Sequence, residues 1–198
     1  MKIRTIVKLI KKSARTFPVV VLTGPRQSGK TTILKQLFST SHIYINLEDP
    51  DTRAAAKADP KGFLFFHSRQ PLILDEIQYA PELLSYIKSA VDQNRRPGRW
   101  LLTGSQNFTL MRDVSESLAG RAAILSLLPF SINERFGLTE QSLSVEQLLR
   151  HDNLTHVNAG HKLNLSEIIL RGNYPEIASK KQIDKNIWCG SYIATYLE

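Results

Sequence analysis

The stretch Val19-Val20-Val21-Leu22-Thr23-Gly24-Pro25-Arg26-Gln27-Ser28-Gly29-Lys30-Thr31-Thr32 decides the fold of this chain. Its first five residues are apolar or β-branched and predict a short strand, whereas residues 31–38 predict a helix. Between them, Gly24, four residues, Gly29, Lys30 and the hydroxyl residue Thr31 match the P-loop pattern. A preceding strand and a following helix are the setting in which this pattern binds phosphate groups.

The chemistry of the loop follows from its backbone. Consecutive N–H groups bent around the glycines point into one concavity, at the positive end of the following helix, and so bind a phosphate chain. We expect Lys30 to reach the β- and γ-phosphates and the Thr31 hydroxyl to ligate Mg²⁺. The residues expected to bind the nucleotide form one continuous segment: Gly24, Pro25, Arg26, Gln27, Ser28, Gly29, Lys30, Thr31 and Thr32.

Strand and helix patterns alternate beyond this segment, which predicts an α/β fold with a parallel sheet. The further predicted strands are residues 43–47, 71–74, 100–103 and 122–128, and the further helices are residues 50–58 and 81–93. After Pro129 the pattern becomes helical, at residues 144–150, 166–171 and 183–197. We therefore expect two domains, a P-loop core over residues 1–130 and a smaller helical, lid-like region over residues 131–198.

A second acidic site follows the third predicted strand. Leu72-Ile73-Leu74-Asp75-Glu76 is an apolar run that ends in two carboxylates, which is the form of a Walker B segment. Ionised carboxylates at the end of a buried strand need a cation, so we expect Asp75 to hold the magnesium ion together with Thr31. Glu76 would face the other way and orient or deprotonate the attacking water.

Two further positions are candidates for contact with the γ-phosphate. In parallel sheets, ligands lie beyond the carboxyl ends of the strands, so Ser105 is the first choice after the fourth strand and Asn107 the second. A helix-capping turn at this point is an equally good interpretation. Arg121, before the fifth strand, either stabilises transition-state charge in its own or a neighbouring subunit, or is a surface charge.

Composition and charge narrow the class of protein. The chain of 198 residues has 26 basic and 18 acidic side chains, a net charge of +8, which favours an anionic partner without choosing one. Cys189 is the single cysteine, which excludes an internal disulfide and favours a reducing, cytoplasmic compartment. The apolar runs are too short for a membrane-spanning helix.

His151, His156 and His161 recur at a spacing that does not align them on one helix face, so we expect loop histidines.

The basic amino terminus supports an alternative function. Ile3, Ile6, Val7 and Ile10 would form one face of a helix whose other faces are basic. A solvated helix packed on the core is the ordinary explanation of such a charge run. The alternative is a nucleotide-switched nucleic-acid-binding or regulatory module with little hydrolysis of its own, and the sequence leaves a DNA partner, a protein partner and self-association open.

Several motifs accompany the P-loop along nearly the whole chain. They are Leu47-Glu48-Asp49-Pro50, Leu74-Asp75-Glu76-Ile77-Gln78, Ala80-Pro81-Glu82, Leu102-Thr103-Gly104-Ser105, Leu118-Ala119-Gly120-Arg121 and Leu128-Pro129-Phe130. Together with the loop they resemble AAA-type P-loop ATPases, in particular the prokaryotic branch in which the ATPase domain is joined to a C-terminal domain of unknown function.

This resemblance implies a fold and a function. It implies a central parallel sheet in the order 5-1-4-3-2, ATP and Mg²⁺ as ligands, and ATP hydrolysis that drives a conformational change. It assigns Lys30 and Thr31 to the nucleotide and magnesium, Asp75 and Glu76 to the Walker B pair, and Ser105 to the sensor position. Because relatives continue for a further domain, we expect this chain to be truncated after the ATPase region.

Overall fold

The computed structural model describes residues 2–105, 114, 116–138 and 165–196. They divide into two compact units. The first is Ile6–Leu128, and the second combines the described residues of Met1–Thr5 and Pro129–Glu198. Several predictions lie outside the described residues: Asn107, the helix at residues 144–150, and the histidines His151, His156 and His161.

The first unit is built on a five-stranded parallel sheet. Its strands are β1 (Val19–Gly24), β2 (Ile43–Asn46), β3 (Leu72–Asp75), β4 (Trp100–Ser105) and β5 (Ala122–Ser126). The order is β2-β3-β4-β1-β5, and every described pairing is parallel. This confirms the predicted α/β class and the order 5-1-4-3-2.

Helices cover the two faces of this sheet, and five of them lie wholly within the described residues. They are α1 (Val7–Thr16), α2 (Lys30–Phe38), α3 (Pro50–Ala58), α4 (Pro60–Phe66) and α5 (Leu83–Gln93). Buried side chains of α3, α4 and α5 form one core with one face of the sheet, and those of α1 and α2 form the other core. Asp49 and Asp59 each cap a helix that begins with proline, through hydrogen bonds to Thr52 N and Gly62 N.

Two elements differ from the sequence prediction. β5 is half-exposed along its length, because it is the last strand of the sheet rather than one buried on both faces. Helix α1 begins only at Val7, so Ile3 lies outside it and is 60% exposed, while Ile10 is fully buried in the core. The predicted apolar face of the amino terminus is therefore only partly helical.

The second unit is organised around a buried carboxylate. Glu134, in the helix Ile132–Phe136, accepts hydrogen bonds from Thr5 N and Thr5 Oγ1 at 2.8 Å and pairs with Arg4 Nε at 3.1 Å. It also closes a capping box with Ser131. Further helices among the described residues of this unit are Leu165–Arg171, Pro175–Ser179 and Lys185–Tyr196.

Within the described residues, no helix has both the length and the apolar character needed to span a bilayer.

The pKa of Glu134 gives a pH-dependent prediction. Burial acts to raise this pKa, but hydrogen bonds from Thr5 and Ser131 and the charge of Arg4 outweigh it, so the pKa lies below the ordinary 4.5. Glu134 therefore stabilises the fold above about pH 4.5, and this contribution is lost as the pH falls through the folded-state pKa. We expect Glu134→Gln to cost about 3 kcal/mol at pH 7, because it leaves Arg4 buried beside a neutral amide.

Urea unfolding at pH 7 and at pH 3 checks this prediction. The difference between wild type and Glu134→Gln should shrink at the lower pH. Glu176→Gln is the matched control, because Glu176 forms an exposed pair with Lys180 that should contribute less than about 1 kcal/mol. An equal cost for the two variants, or a difference that does not change with pH, would contradict this account of Glu134.

Candidate phosphate-binding site

The loop between β1 and α2 has the strained backbone that its glycines allow. Gly24 has φ 143° and Gly29 has φ 95°, both positive, and Gln27 takes φ 59°. At Gly24 a Cβ atom would lie 2.2 Å from the carbonyl oxygen of Leu127, so no larger residue fits without displacing the backbone. The sequence therefore folds here into a tight bend at the positive end of α2.

Lys30 is buried at the start of α2 and folds back onto the loop. Its ammonium group donates to Gly24 O at 3.1 Å and to Pro25 O at 3.0 Å. Burial lowers the pKa of Lys30 below its ordinary value, although the charges of Glu76 and Asp75 act in the opposite direction. A desolvated ammonium at the mouth of a loop of amides is suited to an anionic ligand.

Asp75, at the end of β3, accepts hydrogen bonds from hydroxyl groups on three other elements. Thr31 Oγ1 on α2 lies 2.8 and 2.9 Å from its two carboxylate oxygens, and Tyr44 Oη on β2 lies 2.7 Å from Oδ2. Thr103 on β4 donates to Oδ1. Burial and the bond to Asp75 raise the pKa of Tyr44, which keeps its phenol protonated as a donor.

The residues predicted to hold magnesium are thus brought together. A threonine hydroxyl and a carboxylate supply the hard oxygen ligands that Mg²⁺ prefers, and Thr31 and Asp75 are already in direct contact. Magnesium usually keeps several water molecules and binds through only one or two protein groups plus phosphate oxygens. The donor set of this site fits that requirement.

Glu76 is positioned differently from its neighbour. Its backbone is left-handed, at φ 57° and ψ 54°, which is uncommon for a residue with a side chain. Its N–H donates to Thr103 Oγ1 at 3.0 Å, and its carboxylate accepts a hydrogen bond from the Gln78 amide. Thr103 therefore links the two acidic residues, and Gln78 orients the second one.

Three site residues were not predicted from the sequence: Tyr44, Thr103 and Gln78. Tyr44 belongs to a strand that is separated from Asp75 in sequence, and only the β2–β3 pairing brings the two together. Thr103 lies inside a predicted strand, two residues before the favoured Ser105. The structure places Ser105 opposite Gly24 in the β1–β4 register, half-buried at the same edge of the sheet.

The structure does not bring Arg121 to this site. Arg121 precedes β5, and Ala122 pairs with Val19 at the start of β1, so Arg121 lies at the opposite edge of the sheet from the loop. Its guanidinium binds Asp92 through two hydrogen bonds, at 2.6 and 2.9 Å. This geometry separates Arg121 from the loop of its own chain, and a role for Arg121 in stabilising transition-state charge stays a prediction.

Comparisons with known proteins concern the same region. Residues 16–136 match the sequence model of a family described as AAA domain. An uncharacterized protein of Mycobacterium tuberculosis is 31% identical over 192 residues, which cover 96% of this chain and 37% of the relative. An uncharacterized protein of Methanocaldococcus jannaschii is 26% identical over 201 residues, which cover 91% of this chain and 42% of the relative. The chain spans less than half the length of these curated relatives.

Two solved structures are similar to the chain. The Walker-type ATPase of Pyrococcus abyssi is 18% identical, with a TM-score of 0.45, over 68% of this chain and 55% of that chain. A signal transduction ATPase with numerous domains and a tetratricopeptide repeat sensor, from Pyrococcus horikoshii, is 14% identical. Its TM-score is 0.44, over 71% of this chain and 25% of that chain.

Because Gly24 lies so close to Leu127, we expect even its substitution by alanine to destabilise the fold strongly. We expect Gly24→Ala to lower the free energy of unfolding by more than about 2 kcal/mol, because the added methyl group meets the Leu127 carbonyl. Gly120→Ala is the control, because Gly120 also has a positive φ, +69°, but no atom of the described residues lies within 4 Å of the added methyl group, so this change should cost about 1 kcal/mol. Urea denaturation of both variants measures this, and equal costs would rule out the steric explanation.

Proposed function

The chain belongs to the AAA domain family, and on this basis we propose that it binds ATP with Mg²⁺ and hydrolyses the nucleotide to drive a conformational change. One observation carries the proposal. The Thr31 hydroxyl contacts the Asp75 carboxylate at 2.8 and 2.9 Å, at the sheet edge where the loop presents the buried Lys30. Oxygen groups suited to a cation thus lie beside a loop suited to an anion, which supports a magnesium–triphosphate ligand.

Binding of the phosphates falls to the loop. Its backbone N–H groups, those of Gly24 and of residues 26–32, would surround the β-phosphate, and the Lys30 ammonium would exchange its bonds to Gly24 O and Pro25 O for phosphate oxygens. A charged acceptor is a stronger partner than a carbonyl, so this exchange favours binding. We propose adenine as the base because the sequence has no Asn-Lys-x-Asp guanine signature.

Thr31 and Asp75 would hold the metal ion. When bound, magnesium would neutralise charge on the phosphates and orient them for attack. Tyr44 and Thr103 fix the direction of the Asp75 carboxylate, because each donates a hydrogen bond to one of its oxygens. Such oriented hydrogen bonds to a ligating carboxylate ordinarily contribute to metal affinity.

Glu76 would act as the general base toward water. In this role its carboxylate takes a proton from the water that attacks the γ-phosphorus, and ADP leaves as inorganic phosphate forms. Gln78 and the left-handed backbone hold this carboxylate apart from Asp75. Ser105, beside Gly24, is proposed to contact the γ-phosphate.

Lys30→Ala and Glu76→Gln test the proposal as a pair. We expect Lys30→Ala to weaken binding of magnesium–ATP roughly tenfold to hundredfold, through loss of charged hydrogen bonds, and to abolish turnover. Glu76→Gln should keep the affinity within about twofold and lower turnover at least about a hundredfold, because only the base is lost. Calorimetry measures binding, and release of inorganic phosphate measures turnover.

The controls are Lys57→Ala and Glu82→Gln, which make the same changes at exposed positions away from the loop. Full turnover in Glu76→Gln would remove the proposed base. Nucleotide binding without turnover in the wild type would favour a nucleotide-switched module instead, and no uptake of magnesium–ATP by folded protein would end the proposal.

Substitutions of the residues around Asp75 and at the end of β4 give a second test of the proposal. Magnesium dependence and turnover are measured separately. Thr103→Val should raise the magnesium concentration needed for half-maximal nucleotide binding by about tenfold, because Asp75 loses one orienting donor. Tyr44→Phe should act in the same direction. Ser105→Ala should lower turnover without changing the magnesium dependence. Titration of magnesium at fixed ATP distinguishes these outcomes, and an unchanged dependence in Thr103→Val would contradict the role given to Thr103.

A further inference from the structure

A cleft of about 590 Å³ lies in the first unit, between α4 and α5 and beside the start of β4. Trp100 is the first residue of β4, whereas Ser105 and the phosphate loop lie at the other ends of β4 and β1. The cleft therefore opens at the opposite edge of the sheet from the candidate nucleotide site.

Helix α4 presents apolar side chains on two sides. Leu64 is buried in the core and Phe63 packs against it, which accounts for one side of the helix. Phe65 and Phe66 are 79% and 80% exposed. Two adjacent exposed phenylalanines beside a cleft form the kind of apolar patch that marks an interaction surface.

The rim of this cleft is basic. Lys61 and Arg96 are exposed, and Arg99 is half-buried. Among the described residues that line the cleft there is no aspartate or glutamate. Burial lowers the pKa of Arg99, and its guanidinium donates to the Ser68 carbonyl. An apolar floor with a cationic rim is complementary to a partner that combines negative charge with apolar side chains.

The geometry favours a protein segment over a nucleic acid. Trp100 offers no free face for base stacking, because it is only 4% exposed and the Arg99 guanidinium lies 5.4 Å from the centroid of its ring. Phe65 and Tyr86 are the exposed aromatic side chains of the lining, and the oligothymidine probe described below tests stacking on them. Leu64 and Ala90 line the cleft together with the aromatic side chains of Phe65, Tyr86 and Trp100, and this apolar concavity is suited to an inserted apolar side chain of a protein segment.

We propose that this cleft docks an acidic protein segment, whose apolar side chain enters between Phe65 and Tyr86 while its carboxylates meet Lys61, Arg96 and Arg99. The inference does not depend on the nucleotide chemistry, because it uses none of the residues of the candidate nucleotide site.

The experiment uses the full chain without nucleotide and three labelled probes. They are an amphipathic helical peptide with glutamate at every polar position and leucine on its apolar face, the same peptide with lysine for glutamate, and oligothymidine. Fluorescence anisotropy should show saturable binding of the glutamate peptide, at least about tenfold tighter than the lysine peptide. The double variant Phe65→Ser with Arg96→Glu should weaken it at least about tenfold.

The matched control is Leu9→Ser with Arg15→Glu on α1, which removes one exposed apolar side chain and reverses one exposed charge elsewhere. It should change the affinity less than about twofold. Because Phe65 and Arg96 are exposed, both variants should keep the wild-type circular dichroism spectrum. The proposal is overturned if the glutamate peptide does not saturate, if the control weakens it equally, or if oligothymidine is the probe that the cleft variant loses.

Discussion

The Asp75 carboxylate is withdrawn from water at the end of a buried strand, and its partners come from the elements around it. Thr31 reaches it from α2, Tyr44 from β2 and Thr103 from β4. A buried charge without such donors would cost several kcal/mol. Because β3 lies between β2 and β4 in the sheet, the strand order that builds the core also assembles this cluster of hydroxyl groups. The strand pairings that form the sheet therefore also position the residues of the candidate site.

Sequence patterns predicted the features that depend on neighbouring residues, and they missed those that depend on residues far apart in the chain. Apolar runs and loop spacing are local, so the five strands were predicted from the residues themselves, whereas the strand order was implied only by the resemblance to AAA-type P-loop ATPases. Thr31 and Asp75 were predicted to share a magnesium ion, and the structure places their side chains in hydrogen-bond contact. Tyr44 and Thr103 were missed because their importance depends on register, which places a residue of one strand beside a residue of another. Helix α4 was missed although Asp59-Pro60 is a strong start signal, since its apolar residues do not follow a single face.

Arg121 shows the limit of motif reasoning most clearly. An arginine next to a strand is compatible with a catalytic or a surface role, and only the direction of the strand decides between them. In this sheet all strands run the same way, so residues before a strand and residues after it lie at opposite edges. The contact of Arg121 with Asp92, on helix α5, follows from that polarity.

Gly24, at the start of the loop, lies in close contact with Leu127, which follows β5. Leu127 N donates to Thr23 O at 2.8 Å, and the Leu127 carbonyl occupies the space that a side chain at Gly24 would need. The loop backbone and Leu127 therefore pack against each other without an intervening side chain. Leu127 directly follows β5 and precedes by one residue the end of the first unit, so the loop contacts the chain at the point where it leaves the sheet.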